Sequence, residues 1–211
     1  MRKSLMLYFA VLSMLLAGPL SAADVQQKVS RLPGLTLPLD PIVKQMFDRR
    51  EAMGGAVINL SLVRAHAPKI AKASEAAPFA IRFDTMTPRN LIELAIYRTA
   101  EIVGSDYELN QHTPMMKMCG FSGEQIAQVA AWQKSKAFND KETALLGFVE
   151  QMAKGGNVDD ATYANLAKFF TPQEIVEISF TVATYYATGI FTKALKIEVE
   201  NDGRLTVAGK C

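Results

Sequence analysis

The feature of this sequence that most constrains its fold is a series of helix-start signals, each followed by apolar residues at helical spacing. Side chains of Ser, Thr and Asp accept hydrogen bonds from the free N–H groups of a first helical turn, and proline is tolerated at its first position. Such signals stand at Thr87-Pro88, Ser122, Asp140, Asp159 and Thr171-Pro172. No long stretch alternates cleanly with a period of two. The sequence therefore predicts an all-α fold of about eight helices joined by short turns.

The first residues of the chain have the order of a secretory signal. Arg2 and Lys3 precede an apolar run over residues 5–16, and the small residues Ser21-Ala22-Ala23 follow it. An apolar run of about 12 residues is shorter than the roughly 20 that a membrane-spanning helix needs. We therefore predict a cleaved signal peptide over residues 1–23 and export to the periplasm or the exterior.

The remaining residues are expected to form one helical domain with two short extensions. Pro33, Gly34 and Pro38 indicate an extended arm over 24–39, the helical domain spans 40–198, and 199–211 forms a C-terminal tail. Without Arg2 and Lys3, the 23 basic residues are reduced to the number of acidic residues, which is 21. This balance argues against a nucleic-acid partner, and no later apolar stretch predicts stable membrane insertion.

The chain has 2 cysteines, Cys119 and Cys211, and no CxxC motif. This excludes a disulfide-rich scaffold and a zinc site built from cysteines. Two interpretations remain open. The cysteines pair with each other in an oxidising compartment, or Cys119 is a buried thiol packed among methionines.

A short internal similarity suggests a duplicated helical hairpin. Residues 87–95 resemble residues 171–179 in register. Downstream of Glu93 come Ser105, Glu108 and His112, and at the same offsets downstream of Glu177 come Gly189, Thr192 and Lys196. Ionisable groups suited to proton transfer are therefore expected in the first copy.

Glu93, Glu108 and His112 form the candidate catalytic cluster. Glu93 lies beside the apolar face of its helix, where burial is expected to raise the pKa of its carboxyl group. After a turn at Gly104, Glu108 and His112 lie four residues apart on the next helix and share one face. Antiparallel packing of the two helices would bring Glu93 towards this pair, so that a carboxylate orients the imidazole for proton exchange.

The same residues also have a purely structural interpretation. Ser105 and Glu108 have the spacing of a capping box, which would make them a helix start. Glu108 and His112 would then be a helix-surface pair that contributes about 0.2–0.5 kcal/mol. Periodicity alone leaves both interpretations open.

The segment from Arg89 to Ile126 resembles the carboxymuconolactone decarboxylase-like family, which includes alkylhydroperoxidase D. The resemblance rests on Glu93-Leu-Ala-Ile-Tyr-Arg98-Thr-Ala, on Gly104-Ser-Asp-Tyr-Glu-Leu-Asn-Gln-His112 and on Cys119-Gly-Phe-Ser-Gly-Glu-Gln-Ile126. A weaker similarity extends from about Arg49 to Glu198. The family fold is helical and assembles as trimers or hexamers, so the resemblance implies a homo-oligomer.

In the redox branch of that family, a relay glutamate precedes a CxxC pair that is followed by a histidine. Glu93 and His112 match the glutamate and the histidine, whereas Ser105 and Glu108 stand where the two cysteines would be. Serine and glutamate cannot form a sulfenic acid or a disulfide. The resemblance therefore implies the non-redox branch, whose decarboxylases act on small carboxylated lactones without a metal or an organic cofactor.

On this basis the sequence assigns a role to each candidate. His112 is the general acid or base, Glu93 a proton relay, and Glu108 a second carboxylate or the orienter of His112. Substrate binding is assigned to Arg98, as a clamp for a carboxylate, together with Ser105 and Tyr107. Two alternatives stay open, namely a peroxidase or antioxidant activity of the peroxiredoxin type at Cys119, and a non-catalytic oligomeric binding protein.

Overall fold

The computed structural model describes residues 20–200 and residue 211. Most of the predicted signal peptide therefore lies outside the described residues, and its cleavage stays a prediction. Within the described part of the chain, no helix combines the length and the apolar character needed to cross a membrane.

The described residues form ten α-helices and one 3₁₀ helix, with no β-strand among them, which confirms the all-α prediction. The elements are α1 (Ala22–Gln26), α2 (Pro41–Ala52), α3 (Asn59–Arg64), α4 (Pro68–Phe83), α5 (Arg89–Val103), α6 (Asp106–Met118), α7 (Gly123–Gln128), the 3₁₀ helix (Val129–Lys134), α8 (Asp140–Gly155), α9 (Asp160–Leu166) and α10 (Pro172–Leu195). The sequence signals missed α1 and the 3₁₀ helix, because both are short and neither has a sustained apolar stripe.

The predicted helix starts are observed with two changes. Ser122 and Thr171 each form a capping box, and Asp159 caps α9. The cap of α8 is Asn139 rather than Asp140. Thr87 does not cap α5, because its hydroxyl donates instead to Glu177 Oε2 on α10, 2.7 Å away.

Helix α5 is the centre of the main core. Every residue from Leu91 to Ala100 is buried, and the helix packs against α6, α8 and α10. Leu94, Leu145 and Ile178, from α5, α8 and α10, are each 0% exposed. A polar side chain between Leu91 and Ala100 is therefore buried, where it needs a hydrogen-bond partner.

The N-terminal arm and the C-terminal segment belong to the packed domain. Val25 and Val29 are buried in a second apolar cluster with helices α2 and α3. Backbone hydrogen bonds of 2.9 Å join Arg31 N to Leu195 O and Glu198 N to Val29 O. Glu200 is also buried, and the division of the chain at residues 39 and 198 stays a prediction.

The predicted duplication of a helical hairpin is wrong for the second copy. The first copy breaks at Gly104, whose φ of 69° lies in the left-handed region. The equivalent position of the second copy is Thr188, and α10 continues through it without a break. A threonine does not favour a positive φ, so only the first copy forms two helices.

Gly189 marks a close approach between the two copies. A Cβ atom at this position would lie 2.9 Å from Val103 Cγ1 and 3.4 Å from Ser105 Cβ. We expect Gly189→Ala to lower the free energy of unfolding by about 1–3 kcal/mol, because the stiff valine cannot move aside without strain. Urea unfolding of the two proteins measures the difference.

Gly147→Ala is the matched control, since Gly147 also lies inside a helix. Its Cβ would meet the Trp132 ring at 3.5 Å, an ordinary contact. Alanine favours helix by about 1 kcal/mol over glycine, so this variant should be as stable as the parent or more so. Equal stability of Gly189→Ala and Gly147→Ala would contradict the close packing of α10 on α5.

Candidate active site

A cavity of about 940 Å³ lies between the N-terminal helices and the helices α6 and α10. Helix α6 contributes Tyr107, Glu108, Gln111 and His112 to its wall, and α10 contributes Tyr185 and Thr188. Further lining residues from α2, α3 and α4 are largely basic or apolar. The cavity is large enough for a small organic molecule.

His112 is joined to α5 by a buried hydrogen-bonded relay. Its Nδ1 lies 2.7 Å from Glu93 Oε2. The other carboxylate oxygen, Glu93 Oε1, accepts from Arg89 Nε at 2.8 Å and lies 2.6 Å from Arg89 Nη2. The exposed fractions of Glu93 and His112 are 0% and 2%. The antiparallel packing predicted for α5 and α6 thus brings Glu93 to His112.

The pKa of Glu93 shifts in the opposite direction from the sequence expectation. Burial alone would raise it, but the charge and hydrogen bonds of His112 and Arg89 outweigh burial and lower it. An ionised carboxylate accepts a hydrogen bond from Nδ1–H and stabilises that tautomer of the imidazole. His112 Nε2 is then the nitrogen that can exchange a proton with a ligand in the cavity.

Glu108 lies on the cavity side of His112 but does not orient it. The distance from His112 Nε2 to Glu108 Oε2 is 3.6 Å, which is too long for a hydrogen bond. Glu108 Oε1 is buried and has no hydrogen-bond partner among the described residues. Burial raises the pKa of Glu108, against the charges of His112 and Arg64. The orienting carboxylate is therefore Glu93, and Glu108 is suited to hold a proton.

Of the three predicted substrate-binding residues, Tyr107 lines the cavity and Ser105 does not. Ser105 is the N-cap of α6, where its hydroxyl accepts from Glu108 N at 3.3 Å and contacts Thr192 Oγ1 at 2.9 Å. The Tyr107 hydroxyl donates to Glu200 Oε1 at 2.7 Å and accepts from Leu60 N at 3.1 Å. Its role is therefore to build the wall of the cavity.

Arg98 does not line the cavity, so its assignment as a substrate clamp is corrected. Its Nη1 donates to Glu101 Oε2 at 2.9 Å and its Nη2 to Glu150 Oε2 at 2.8 Å. Trp132 Nε1 donates to the same Glu150 oxygen at 2.6 Å. The Arg98 guanidinium therefore joins α5 to α8 in the domain interior.

The two cysteines pair with each other. Cys119, at the end of α6, forms a disulfide with Cys211, and their Cα atoms are 5.0 Å apart. Cys119 packs against the main core and does not line the cavity. This pairing selects one of the two interpretations that the sequence left open.

Thiol titration of the unreduced, denatured protein tests this pairing. We expect no free thiol before reduction and, since the chain has 2 cysteines, two after it. Dilute peroxide added to the unreduced protein should leave no sulfenic acid at Cys119, because sulfenic acid forms from a thiolate and this cysteine is in a disulfide. Sulfenic acid detected at Cys119 by mass spectrometry would contradict this and would support the peroxidase alternative.

Sequence reasoning missed several residues that surround the cluster. Arg89 was detectable, since it precedes Glu93 by one helical turn. Gln111 and Glu200 were not, because their contact joins α6 to the C-terminal segment, with Gln111 Nε2 2.5 Å from Glu200 Oε2. Glu200 Oε1 also accepts from Asn59 N at 2.7 Å, which ties three separate parts of the chain together behind the cavity.

The comparisons with known proteins agree with this architecture. Residues 68–151 match the Carboxymuconolactone decarboxylase family. This segment includes α5 and α6 and hence Glu93, Glu108 and His112. No curated protein matches the chain.

Solved structures share the fold at low sequence identity. The alkylhydroperoxidase AhpD core of an uncharacterized peroxidase-related protein from Ralstonia eutropha JMP134 is 20% identical, with a TM-score of 0.73 over 86% of this chain and 100% of that chain. A peroxidase-related protein from Silicibacter sp. TM1040 is 14% identical, with a TM-score of 0.73 over 83% of this chain and 94% of that chain.

A third structure carries a ligand. It is a cysteine-to-alanine variant of the debrominase Bmp8 in complex with 2,3,4-tribromopyrrole, 16% identical, with a TM-score of 0.64 over 90% of this chain and 94% of that chain. At these identities the likeness shows the fold. Residues 68–151 thus match the carboxymuconolactone decarboxylase family, and the chain has the alkylhydroperoxidase D-like helical fold.

Proposed function

We propose that this protein is an acid-base enzyme that acts, without an organic cofactor or a redox thiol, on a small carboxylated or lactone-like substrate. The observation that carries the proposal is the relay Arg89–Glu93–His112, which orients the imidazole and ends at the cavity. Positioned acid-base groups of this kind contribute about 100- to 10,000-fold in rate. Glu108 adds a second carboxyl group, whose pKa is raised by burial.

Decarboxylation illustrates what these groups can do. The bond between the substrate carbon and its carboxylate breaks, CO₂ leaves, and the electron pair stays on the carbon, where a neighbouring carbonyl group delocalises it. The imidazolium of His112 then gives its proton to that carbon and is restored by a proton from solvent. Glu93, held ionised by His112 and Arg89, stabilises the imidazolium before the transfer. The step consumes one proton and needs no oxidant.

Two further observations support a small substrate and acid-base chemistry. A protein of this fold binds 2,3,4-tribromopyrrole, which by analogy of fold favours a small ring as the ligand class. The peroxidase alternative is less well supported, because both cysteines are consumed in the Cys119–Cys211 disulfide, away from the cavity.

The test is turnover of a panel of carboxylated lactones, with CO₂ release as the measure of decarboxylation and loss of the lactone carbonyl absorption as the measure of ring opening. We expect turnover that persists after thiol alkylation and in the presence of a chelator. Loss of turnover after alkylation would favour thiol chemistry. Binding of panel members without turnover would favour the non-catalytic binding protein and would end the enzyme proposal.

Export and homo-oligomerisation also belong to the proposal. Support for self-association comes from α10, where Val176, Phe180 and Ile190 are large apolar residues that are 67%, 55% and 49% exposed. Exposed apolar residues along one helix are typical of an association surface. Export continues to rest on the sequence of residues 1–23.

A further inference from the structure

Three arginines from three different helices line the cavity that His112 faces. Arg50 lies on α2, Arg64 ends α3, and Arg82 lies near the end of α4. Burial lowers the pKa of Arg50, and the charges of Arg82 and Arg64 lower it further, against the opposing effect of Glu75. Like charges brought together in a partly buried wall raise the free energy of the folded protein. Such a cluster favours a bound anion.

The Arg50 guanidinium has unused hydrogen-bonding capacity. Its Nη2 lies 3.6 Å from Glu75 Oε1, which is a long ion pair. Its Nη1 is buried and has no hydrogen-bond partner in the described part of the chain. An unpaired buried donor is unfavourable, and more so when it is charged, so a carboxylate placed here would supply the missing hydrogen-bond partner.

Arg64 is similarly short of a charged partner. Its Nη2 donates to Thr188 Oγ1 at 3.3 Å, and it forms no ion pair with a described residue. Burial lowers the pKa of Arg64, against the opposing charge of Glu108. The guanidinium carbon lies 5.9 Å from the centre of the Phe191 ring, which restrains its position.

Helix α10 contacts both Arg64 and His112, the last residue of the relay. Tyr185 meets the His112 ring edge-on, with 5.1 Å between ring centres. Thr188, which binds Arg64, follows Tyr185 by three residues and hence lies about 4.5 Å further along the helix axis. The imidazole and the guanidinium are thereby held next to successive turns of α10.

The charge of the whole cavity fits an anion. Its ionisable lining residues, apart from histidine and tyrosine, are five basic and three acidic ones. The basic residues are Arg49, Arg50, Arg64, Lys72 and Arg82, and the acidic ones are Glu75, Asp84 and Glu108. Because burial raises the pKa of Glu108, this residue contributes less negative charge than an exposed glutamate.

We propose that Arg50 and Arg64 form an anion subsite that holds a carboxylate group of the ligand and directs the rest of the molecule towards His112. A guanidinium can hold a carboxylate through two parallel hydrogen bonds. Both residues precede the segment 68–151 that matches the family, so the N-terminal helices of this chain supply the subsite. The orienting role rests on the proposed function, whereas anion binding does not.

The test is calorimetric binding of 5-oxotetrahydrofuran-2-carboxylate and of its uncharged methyl ester to the full chain. The parent should prefer the carboxylate. Arg50→Gln and Arg64→Gln should each weaken carboxylate binding about 10- to 100-fold, since a charge-assisted hydrogen bond is lost, and should leave ester binding unchanged. The matched control is Arg49→Gln, because Arg49 is an exposed residue at the rim of the same cavity.

Several outcomes would overturn the subsite. The subsite is wrong if the parent binds acid and ester with equal affinity or binds neither probe. It is also wrong if Arg49→Gln weakens carboxylate binding as much as Arg50→Gln and Arg64→Gln do. If Arg64→Gln does not fold, Arg50→Gln and the charge-retaining Arg64→Lys carry the test, and Arg64→Lys should keep part of the preference for the acid.

The subsite and the enzyme proposal can fail separately. His112→Asn should still bind the carboxylate probe, because His112 is not part of the subsite. Carboxylate binding that depends on Arg50 and Arg64 in a protein that turns over no lactone would support the subsite and contradict the enzyme proposal. Lactone turnover that is unchanged in Arg64→Gln would support the enzyme proposal and contradict the subsite.

Discussion

His112→Asn is expected to lower turnover of an accepted substrate about 100- to 10,000-fold, the contribution of a positioned acid-base group. Asparagine can still donate a hydrogen bond to Glu93, so the buried carboxylate keeps a partner. It cannot exchange a proton near neutral pH. The free energy of unfolding should therefore change much less than the rate. Steady-state kinetics and thermal unfolding of the same preparations measure the two effects.

The chain offers a matched control for this variant, since its other histidine is His66. His66 is exposed, and its Nε2 contacts Pro33 O at 3.0 Å, outside the cavity. We expect His66→Asn to retain full turnover. The enzyme proposal is wrong if His112→Asn also retains it. If His112→Asn instead unfolds at a lower temperature and no ligand stabilises either protein, the cluster is structural.

Glu93→Gln is expected to have the largest effect on stability. The substitution removes a buried carboxylate that partners Arg89 and His112, and breaking such a pair from one side typically costs about 3–5 kcal/mol. The control is Glu198→Gln, whose side chain lies at an exposed position and which should change stability by about 0.5 kcal/mol or less. Urea unfolding at neutral pH compares both variants with the parent.

The effect of Glu93→Gln on the free energy of unfolding is expected to depend on pH. Because the pKa of Glu93 is lower in the folded protein than in the unfolded chain, its ionisation contributes stability above the unfolded pKa. That contribution is lost as the pH falls through the lower folded pKa. The stability difference between the parent and Glu93→Gln should therefore be largest at neutral pH and shrink under acidic conditions. A difference that is small at neutral pH, or that grows on acidification, would show that Glu93 is not ionised in the fold.

Local sequence signals accounted for most of the helices and for the core of the site. The helix-start residues and the apolar spacing predicted α5 and α6, and Gly104 marked the turn between them. The four-residue spacing of Glu108 and His112 placed both on one face, and the family resemblance singled out Glu93 as their partner. These features depend on residues close together in the chain, where hydrogen-bond geometry and helical periodicity act directly.

Other properties of the site came from the tertiary structure. The pKa of Glu93 is lowered because two cationic or hydrogen-bonding partners meet it in a buried place, and burial alone predicted the opposite sign. Arg98 was a reasonable clamp by its position in the motif, but the fold directs it to Glu101 and Glu150. The relevant arginines, Arg50 and Arg64, come from helices outside the motif.

The sequence by itself determined the helical fold class, the principal helix boundaries and the identity of the Glu93–His112 pair. Only the tertiary structure decided which residues face the cavity, which carboxylate orients the histidine, and that Cys119 pairs with Cys211. The physical reason is that the first set follows from interactions within one or two helical turns. The second set depends on packing between elements far apart in sequence, and this packing decides which charges share a buried environment.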